Sequence, residues 1–346
     1  MTETLKLTLA QLNPTVGDFA GNIAKAAEAH AVAARAGADM VLLPEMFVTG
    51  YQAQDLVLRP AFTRDAMLHV EKLAKQCDTG PAIGIGAPLL EGDNLFNAYF
   101  ILRGGAISVT LRKHELPNTH VFDEARLFDK GPLAGPYSIN GVRIGNPICE
   151  DAWHEDVSEA LAESGAEILV VPNGSPYYRN KFDRRLSAMV ARVVENDMPL
   201  VYLNMVGGQD DQVFDGGSFV LNRGGLLAMQ MPLFDEAIAH VDFVRGDAGW
   251  EALQGEKIVH VDEWEQDYRV MMQGLRDYLS KTGFKKVVLG LSGGIDSALV
   301  ATIAVDALGP KNVRCVMMPS EYTAESSLDD AKELAENLGV KLDMIP

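Results

Sequence analysis

The stretch GVRIGNPICEDAWHED, residues 141–156, places Cys149 directly before two acids at the end of an apolar run. The chain holds two other cysteines, Cys77 and Cys315. A cysteine acts as a nucleophile only where a neighbouring group stabilises the thiolate or removes the thiol proton, and a single cysteine is otherwise a packing residue. The rest of the sequence therefore has to supply partners for this thiol, and their positions decide which fold is predicted.

Two other reactive side chains stand at the ends of predicted strands. The run ADMVLLPE ends in Glu45 and the run AISVTLRK ends in Lys113. At one sheet edge the three groups would be complementary, because a carboxylate can accept the thiol proton, an ammonium can stabilise an oxyanion, and a thiolate can attack an amide carbon. Each residue taken alone is more often a surface or packing group, so spacing by itself leaves both interpretations open.

Short strand patterns alternate with alanine-rich helical patterns along the chain. Strands are predicted at residues 5–13, 38–45, 81–90, 97–105, 106–113, 166–175 and 199–207, and helices at 20–37, from about 156, and at 184–197. This mixture predicts a mixed sheet. The weakly patterned stretch 245–268 indicates a connection. We therefore predict a first domain over residues 1–245, a linker over 246–266 and a second domain over 267–346.

The composition restricts the class of protein. The 346 residues include 47% hydrophobic residues, enough for a substantial core in more than one domain, and the formal net charge is −18. That charge argues against a general nucleic-acid or anionic-membrane surface, although backbone amides can still hold an anion locally. The three cysteines lack framework spacing, the start lacks a signal-peptide pattern, and no apolar stretch reaches about 18 residues. We therefore predict a cytoplasmic protein without nucleic-acid or membrane partners.

A loop with two adjacent glycines follows an apolar strand pattern in the second region. The sequence KKVVLGLSGGIDSALVATIAVDALG, residues 285–309, reads as strand, loop and helix, and it matches neither the Walker A pattern nor the dinucleotide fingerprint. This loop would suit a phosphate, which could accept hydrogen bonds from the backbone N–H groups at Gly293 and Gly294, from the hydroxyls of Ser292 and Ser297 and from the helix N-terminus.

Asp296 lies within the same loop. Its carboxylate would repel a phosphate unless a cation intervened, so coordination of Mg²⁺ is its natural role in a phosphate site. The alternative is an ordinary strand-to-helix turn that Asp or Ser caps.

The first region resembles the nitrilase superfamily. The motifs LLPEMFVTGY, LRKHELPNTHVFDEARLF and ICEDAWHED occur in the superfamily's order, and the resemblance covers roughly residues 4–245. It implies Glu45 as general base, Lys113 as oxyanion stabiliser and Cys149 as the nucleophile that forms a thioester with an amide substrate. Glu124 matches the additional glutamate that supports this triad. The fold implied is an α/β fold, the α-β-β-α sandwich, which tends to pair into larger homo-oligomers.

The same resemblance implies where an amide substrate binds. The segment VVPNGSPYYRNK, residues 170–181, resembles the substrate-binding segment, with Ser175 and Lys181 as candidate contacts. Glu150 follows the nucleophile and lies close enough to contact the substrate. Two positions depart from the usual pattern. Pro147 cannot donate to a strand ladder, so its strand should be edge-like or end there, and Thr119 stands where relatives often carry tyrosine, so we assign it no role.

The motif SGGIDS, residues 292–297, resembles the signature of the ATP pyrophosphatase group, which adenylates a carboxyl or carbonyl group and releases pyrophosphate. The domain implied is Rossmann-like, of the adenine nucleotide alpha hydrolase type. A nitrilase-type amidase followed by this loop resembles the glutamine-dependent NAD synthetases, as does MMPSEYTAESSLDDA, residues 317–331. The resemblance implies that one domain releases ammonia from glutamine. The other would use ATP and Mg²⁺, without a prosthetic group, to adenylate deamido-NAD, from which ammonia displaces AMP; we expect a tunnel between them.

The second region is short for a doubly wound sheet. After the loop and its helix, only a strand, a further helix and the start of an apolar run precede Pro346. The sequence therefore predicts a truncated second domain, with slow glutaminase activity retained and NAD synthesis lost.

Two other classes stay open from the sequence. A stand-alone amidase or carbamoylase would hydrolyse ω-amides other than glutamine and would not need SGGIDS, so a substrate panel distinguishes it. A non-catalytic nucleotide sensor would carry a vestigial triad, and protection of the thiol from alkylation by glutamine would exclude it.

Overall fold

The structure is a computed structural model that describes residues 3–119 and 121–345. It divides into two compact units, of which the first holds residues up to Gly207 and Phe214–His260, and the second holds Gly208–Val213 and the chain from Val261. Met1 and Pro346, at which the predicted domains begin and end, lie outside the described residues.

The first unit contains the predicted strands and helices together with several elements that the sequence patterns did not predict. The strands are β1 (Thr4–Gln11), β2 (Met40–Leu42), β3 (Ala82–Glu91), β4 (Asn94–Arg103), β5 (Ala106–Arg112), β6 (Tyr137–Ile139), β7 (Val142–Gly145), β8 (Ile168–Asn173), β9 (Leu200–Asn204), β10 (Val206–Gln209), β11 (Gln212–Asp215), β12 (Phe219–Asn222), β13 (Leu226–Gln230), β14 (Ala237–Gly246) and β15 (Gly249–Ala252). The helices are α1 (Phe19–Arg35), α2 (Pro60–Gln76), α3 (Glu124–Leu127), α4 (Glu155–Glu163) and α5 (Lys181–Asn196). Of these strands, β10 and β11 continue into the second unit's residues.

Two mixed sheets form the centre of the first unit. The larger has the order β15-β14-β1-β2-β3-β4-β5, in which β1, β2 and β3 run parallel and the other neighbours are antiparallel. The smaller has the order β13-β12-β9-β8-β7-β6, in which β7, β8 and β9 run parallel. Parallel central strands place their carboxyl ends at the same edge of each sheet, which is where the candidate residues lie.

Alternation along the strands shows how the layers stack. In β8, Ile168 and Val170 belong to the apolar core between the two sheets. Leu169 and Val171 belong to the core beneath α4 and α5, because successive side chains of a strand point to opposite faces. On the larger sheet, Val41 likewise joins the core beneath α1 and α2. Helices thus cover the outer face of each sheet, and the predicted α-β-β-α sandwich is confirmed.

Several boundaries differ from the sequence-based expectation. Residues predicted as one strand, 199–207, form β9 and β10, and α5 begins at Lys181, before the predicted residue 184. The helix α2 was not predicted, although its buried positions Ala66, Val70 and Leu73 recur at helical spacing. The expectation for Pro147 agrees with the structure, since β7 ends at Gly145, before the proline. The predicted connection 246–266 contains regular structure at both ends, namely β15 and the first turn of the next helix.

The second unit is a parallel sheet with helices. Its elements are α6 (Glu263–Thr282), β16 (Val287–Gly290), α7 (Ile295–Leu308), β17 (Val313–Met317), α8 (Glu325–Leu338) and β18 (Lys341–Met344). The strands lie in the order β16-β17-β18, all parallel, over a core that includes Leu291, Ala304, Cys315 and Ala331. This is the predicted α/β architecture. Within the described residues, no helix is both long and apolar enough to cross a membrane.

Candidate active site

A buried lysine joins two buried glutamates at the carboxyl edge of the larger sheet. Lys113, the first residue after β5, donates from Nζ to Glu45 Oε1 and to Glu124 Oε2, each over 2.7 Å. Lys113 and Glu45 are 0% exposed and Glu124 is 2% exposed. Charges that are buried this deeply are stable only when they are paired and hydrogen-bonded. The structure therefore brings together three of the four residues that the sequence assigns to the chemistry.

Two polar side chains that the sequence analysis missed complete this cluster. Asn97 donates from Nδ2 to Glu45 Oε1 at 2.8 Å and to Glu124 Oε1 at 3.0 Å, and the Tyr51 hydroxyl donates to Glu124 Oε1 at 2.7 Å. The Gly174 N–H donates to Glu45 Oε2 at 2.8 Å. A signal existed for Asn97, which is a polar residue in the middle of the apolar strand NLFNAYFILR. These donors fix the orientation of both carboxylates.

The cationic state of Lys113 follows from its partners. Burial alone lowers the pKa of Lys113, but Glu124 and Glu45 outweigh burial and hold the pKa well above its ordinary value. Burial raises the pKa of Glu124, and Lys113 opposes this shift. Lys113 is therefore an ammonium throughout the physiological pH range, and its positive charge is fixed in an interior that water does not screen.

Cys149 is buried, at 4% exposure, and begins a 3₁₀ turn over Cys149–Trp153. Its φ of 48° lies in the left-handed region, which costs a residue other than glycine roughly 1–3 kcal/mol. Burial raises the pKa of its thiol well above the ordinary value, the negative charge of Glu45 raises it further, and the ammonium of Lys113 lowers it. The thiol is therefore protonated at rest and needs a base beside it before it can attack.

Ser175, a predicted substrate contact, is held by a buried network. Arg185 donates to the Ser175 carbonyl at 2.6 Å and from Nε to Ser175 Oγ at 3.1 Å, and it pairs with Asp215 at 2.8 Å. Asn204 accepts the Ser175 N–H at 2.9 Å and donates to the Ser175 carbonyl at 3.0 Å. Arg185 is 0% exposed, so this network defines one conformation of the segment after β8. The sequence analysis assigned none of these three supporting residues.

Lys181 and Glu150, the other predicted contacts, are half-buried. The Lys181 ammonium lies 4.5 Å from the ring centroid of Trp153 and 4.6 Å from that of Tyr178. Burial, with Arg185 adding to it, lowers the pKa of Lys181 to about 8. A cation over aromatic faces is attracted by the rings and remains able to bind an anion. The arrangement thus offers a positive group that titrates close to physiological pH.

The predicted phosphate loop connects β16 to α7. Gly293 has a φ of +82°, and a Cβ there would lie 2.3 Å from the Ser327 carbonyl oxygen, so only glycine fits. The hydroxyls of Ser292 and Ser297 lie 3.1 Å apart, and Ser297 also donates to the Gly294 carbonyl at 2.9 Å. Gly294 caps the helix, so the N-terminal N–H groups of α7 face this loop.

Asp296 is exposed in the first turn of α7. In the described part of the chain, no group of three or more His, Cys, Asp or Glu side chains could hold a metal ion. Mg²⁺ is commonly held by one or two carboxylates together with substrate phosphates, so a single aspartate is compatible with a magnesium ion that arrives with a nucleotide.

Two family comparisons match the two regions. Residues 6–249 match the family described as carbon-nitrogen hydrolase, and residues 267–346 match the family described as NAD synthase. The glutamine-dependent NAD(+) synthetase of Rhodobacter capsulatus is 57% identical to the chain over 345 residues, which cover 100% of this chain and 62% of that protein. The chain therefore spans less than two thirds of the length of this relative.

Solved structures resemble this chain, one over nearly its whole length and one over about two thirds of it. A glutamine-dependent NAD+ synthetase from Acinetobacter baumannii, in complex with ADP, superposes with a TM-score of 0.93 at 35% identity, covering 99% of this chain and 64% of that one. A mutant amidase of the nitrilase superfamily from Nesterenkonia AN1 superposes with a TM-score of 0.62 at 24% identity, covering 69% of this chain and 90% of that one. The amidase shows the sandwich fold alone. The match beyond it, over residues 267–346, favours a synthetase over a stand-alone amidase.

Proposed function

Because the chain belongs to the carbon-nitrogen hydrolase family, we propose that it hydrolyses glutamine and supplies the ammonia for a glutamine-dependent NAD(+) synthetase reaction. The observation that carries the proposal is the ammonium of Lys113, buried between Glu45 and Glu124 and acting on the thiol of Cys149. We assign residues 1–245 to the glutaminase part and residues 267–346 to the synthetase part. We also propose that the chain forms homo-oligomers and that it is cytoplasmic, a location in which its three free cysteines would stay reduced.

In the proposed reaction, Glu45 takes the thiol proton as the Cys149 sulfur attacks the side-chain amide carbon of glutamine. Lys113 stabilises the oxyanion of the tetrahedral intermediate, and Glu124 holds Lys113 in place. The carbon–nitrogen bond then breaks, and the proton on Glu45 passes to the leaving nitrogen, which gives ammonia and a thioester. A water molecule that Glu45 deprotonates hydrolyses the thioester to glutamate and restores the thiol.

The rest of glutamine has to be recognised by groups outside this cluster. We propose that Lys181 binds its α-carboxylate, that Glu150 binds its α-ammonium, and that Ser175 contacts the chain between them. The supporting observations are the opposite charges of the two half-buried side chains and the rigid network around Ser175. A pair of opposite charges favours a zwitterionic amide over a simple one.

We further propose that the second unit binds Mg²⁺–ATP and adenylates deamido-NAD, from which ammonia displaces AMP to give NAD. Backbone N–H groups at Gly293 and Gly294 and the hydroxyls of Ser292 and Ser297 would contact the phosphates, and Asp296 would contact the magnesium ion. The NAD synthase match over residues 267–346 supports this assignment.

The direct test supplies this chain with glutamine, ATP, Mg²⁺ and deamido-NAD, and measures glutamate and NAD separately. We expect glutamate to form. A panel of ω-amides in the same assay distinguishes the alternatives, since a general amidase would cleave them as readily as glutamine. A thiol that glutamine does not protect from alkylation would contradict the proposal.

The KM for glutamine is expected to rise as the pH passes about 8. A lysine with a lowered pKa is cationic below that pKa and neutral above it, so Lys181 loses its attraction for the α-carboxylate on the alkaline side. Lys181→Met should raise the KM at neutral pH by about 10-fold to 100-fold, the value of one charge-assisted hydrogen bond. The matched control is Lys181→Arg, which stays charged and should remove the rise. Equal rises in the wild type and the arginine variant would exclude Lys181 as their source.

Asp296→Asn is expected to weaken ATP binding in the presence of Mg²⁺ and to leave it equal or stronger when EDTA removes the metal. The carboxylate repels the phosphates by itself and attracts them through the cation, so the sign of the effect reverses with the metal. Calorimetric titration of the chain measures both affinities. Asp306→Asn, an exposed position at the other end of α7, is the control. Parallel changes with and without metal would remove Asp296 from the magnesium site.

A further inference from the structure

Asp151 is a buried carboxylate that the reaction scheme above does not use. It lies in the 3₁₀ turn that Cys149 begins, and it is 3% exposed. Burial raises its pKa to about 6, so it is mostly ionised at pH 7. A buried carboxylate needs hydrogen bonds to replace water, and the partners it finds are main-chain N–H groups of two separate segments.

The two oxygens of Asp151 bind different parts of the site. Oδ1 accepts the N–H of His114 at 3.0 Å and the N–H of Glu115 at 2.6 Å, the two residues that follow Lys113. Oδ2 accepts the N–H of Ile148 at 3.0 Å, the residue that precedes Cys149. One carboxylate therefore connects the segment that carries the ammonium to the turn that carries the thiol.

Both segments need such support. The chain leaves the sheet after Lys113, whose own N–H donates to the Asn97 carbonyl at 2.8 Å, so the next N–H groups have no ladder to join. On the other side, Cys149 has a left-handed φ that persists only where the surroundings fix it, and Asp151 returns a bond by donating its own N–H to the Ile148 carbonyl at 3.0 Å. Asp151 thus holds the strained turn and the end of β5 together.

We propose that Asp151 is a positioning residue for glutamine hydrolysis, whose carboxylate sets the separation between the Cys149 thiol and the Lys113 ammonium. This inference rests on the proposed function. Two of the three proposed substrate contacts, Ser175 and Lys181, lie on a different segment that makes none of these bonds, whereas Glu150 shares the turn with Asp151. Loss of the carboxylate should therefore slow the chemical steps by more than it weakens glutamine binding.

Asp151→Asn is the informative change, because it keeps the shape and removes one acceptor. An amide has a single oxygen, so it can accept from His114 and Glu115 or from Ile148, and its NH₂ group faces an N–H donor on the other side. We expect the kcat per active site to fall by about 10²-fold, the effect that a misplacement near 1 Å can have, and the KM to change by a smaller factor, since Ser175 and Lys181 stay in place.

The experiment uses the whole chain and an ε-diazoketone analogue of glutamine as the thiol-reactive probe. The final extent of labelling by the probe gives the number of competent sites, and the rate of labelling reports how well the thiol is aligned. The kcat for glutamine is then divided by the number of labelled sites. A residue that served only stability would lower the number of sites and leave the kcat of each unchanged. Asp39→Asn is the control, since Asp39 also accepts a main-chain N–H, that of Lys6 at 2.7 Å, and it precedes β2, at the opposite end of that strand from Glu45.

The outcomes separate the two proposals. A kcat per labelled site within threefold of the wild type would overturn the positioning role. If the asparagine variant does not fold, Asp151→Glu takes its place, because it keeps the charge but shifts the oxygens by one carbon–carbon bond, and the same fall is expected. A wild-type chain that reacts with neither glutamine nor the probe would overturn the proposed function, and the positioning role with it.

Discussion

Cys149→Ala is expected to lower glutamine hydrolysis by at least about 10⁴-fold, the largest effect of any single change in the chain. In the proposed mechanism the sulfur is the atom that bonds to the substrate, and an alanine methyl group has no lone pair with which to attack. Glutamate formation, followed enzymatically, measures the effect. In any preparation that also forms NAD, added ammonium salts should sustain that reaction in the alanine variant.

The matched control is Cys77→Ala. Cys77 is a free cysteine at the end of α2. It lies in the connection to the amino end of β3, which is opposite the carboxyl ends of the parallel strands. Its removal should leave the kcat unchanged within about twofold. Retention of activity in Cys149→Ala would refute the thioester mechanism, and loss of the ammonia-driven and the glutamine-driven reactions together would refute the division into two sites.

The positions of the candidate site residues after strands were predictable from the sequence, whereas their roles were implied only by the resemblance, since spacing alone left a packing interpretation open. Glu45 and Lys113 follow β2 and β5 of the larger sheet, whereas Cys149 follows β7 of the smaller one, so the three residues come from two sheets and not from one sheet edge as expected. The order of the motifs then indicated the sandwich, which the structure confirms. The α/β second domain followed from the strand, loop and helix around Gly293.

The supporting residues were not predictable in the same way. Asn97, Arg185 and Asp151 act through partners that lie tens of residues away, for example the 36 positions between Asp151 and Glu115. Periodicity reports which face a residue occupies, and it contains no information on which distant N–H group a buried carboxylate meets. Polar residues inside apolar runs, such as Asn97 in β4, are the signal that remained available.

Lys113→Met is expected to be the second most damaging change, because it affects both catalysis and folding. Removal of the ammonium takes away the group proposed to stabilise the oxyanion, which should lower the kcat by about 10²-fold to 10³-fold in the molecules that fold. It also leaves two buried carboxylates facing each other, with Asn97 donating to both of them, Tyr51 donating to Glu124 and the Gly174 N–H donating to Glu45. Breaking a buried pair in this way costs about 3–5 kcal/mol of the free energy of unfolding.

The pH dependence identifies the cause of that loss. Burial already raises the pKa of Glu124, and without the lysine that opposes the shift its folded-state pKa rises further above the unfolded value. A carboxyl with a raised folded-state pKa stabilises the fold fully below its unfolded pKa, and this stability is lost as the pH rises through the folded pKa. The deficit of Lys113→Met relative to the wild type should therefore be smaller near pH 5 than near pH 8, as measured by denaturant unfolding at both values.

The control for that comparison is Lys113→Met combined with Glu124→Gln, which removes one of the two opposed carboxylates. This double variant should recover part of the lost free energy of unfolding at about pH 8 and little at about pH 5, because at the lower pH a proton already neutralises one acid. Its activity should stay low, since the oxyanion still has no ammonium beside it. A deficit that does not change with pH would mean that the lost packing of the lysine chain, and not the charge between the two glutamates, destabilises the variant.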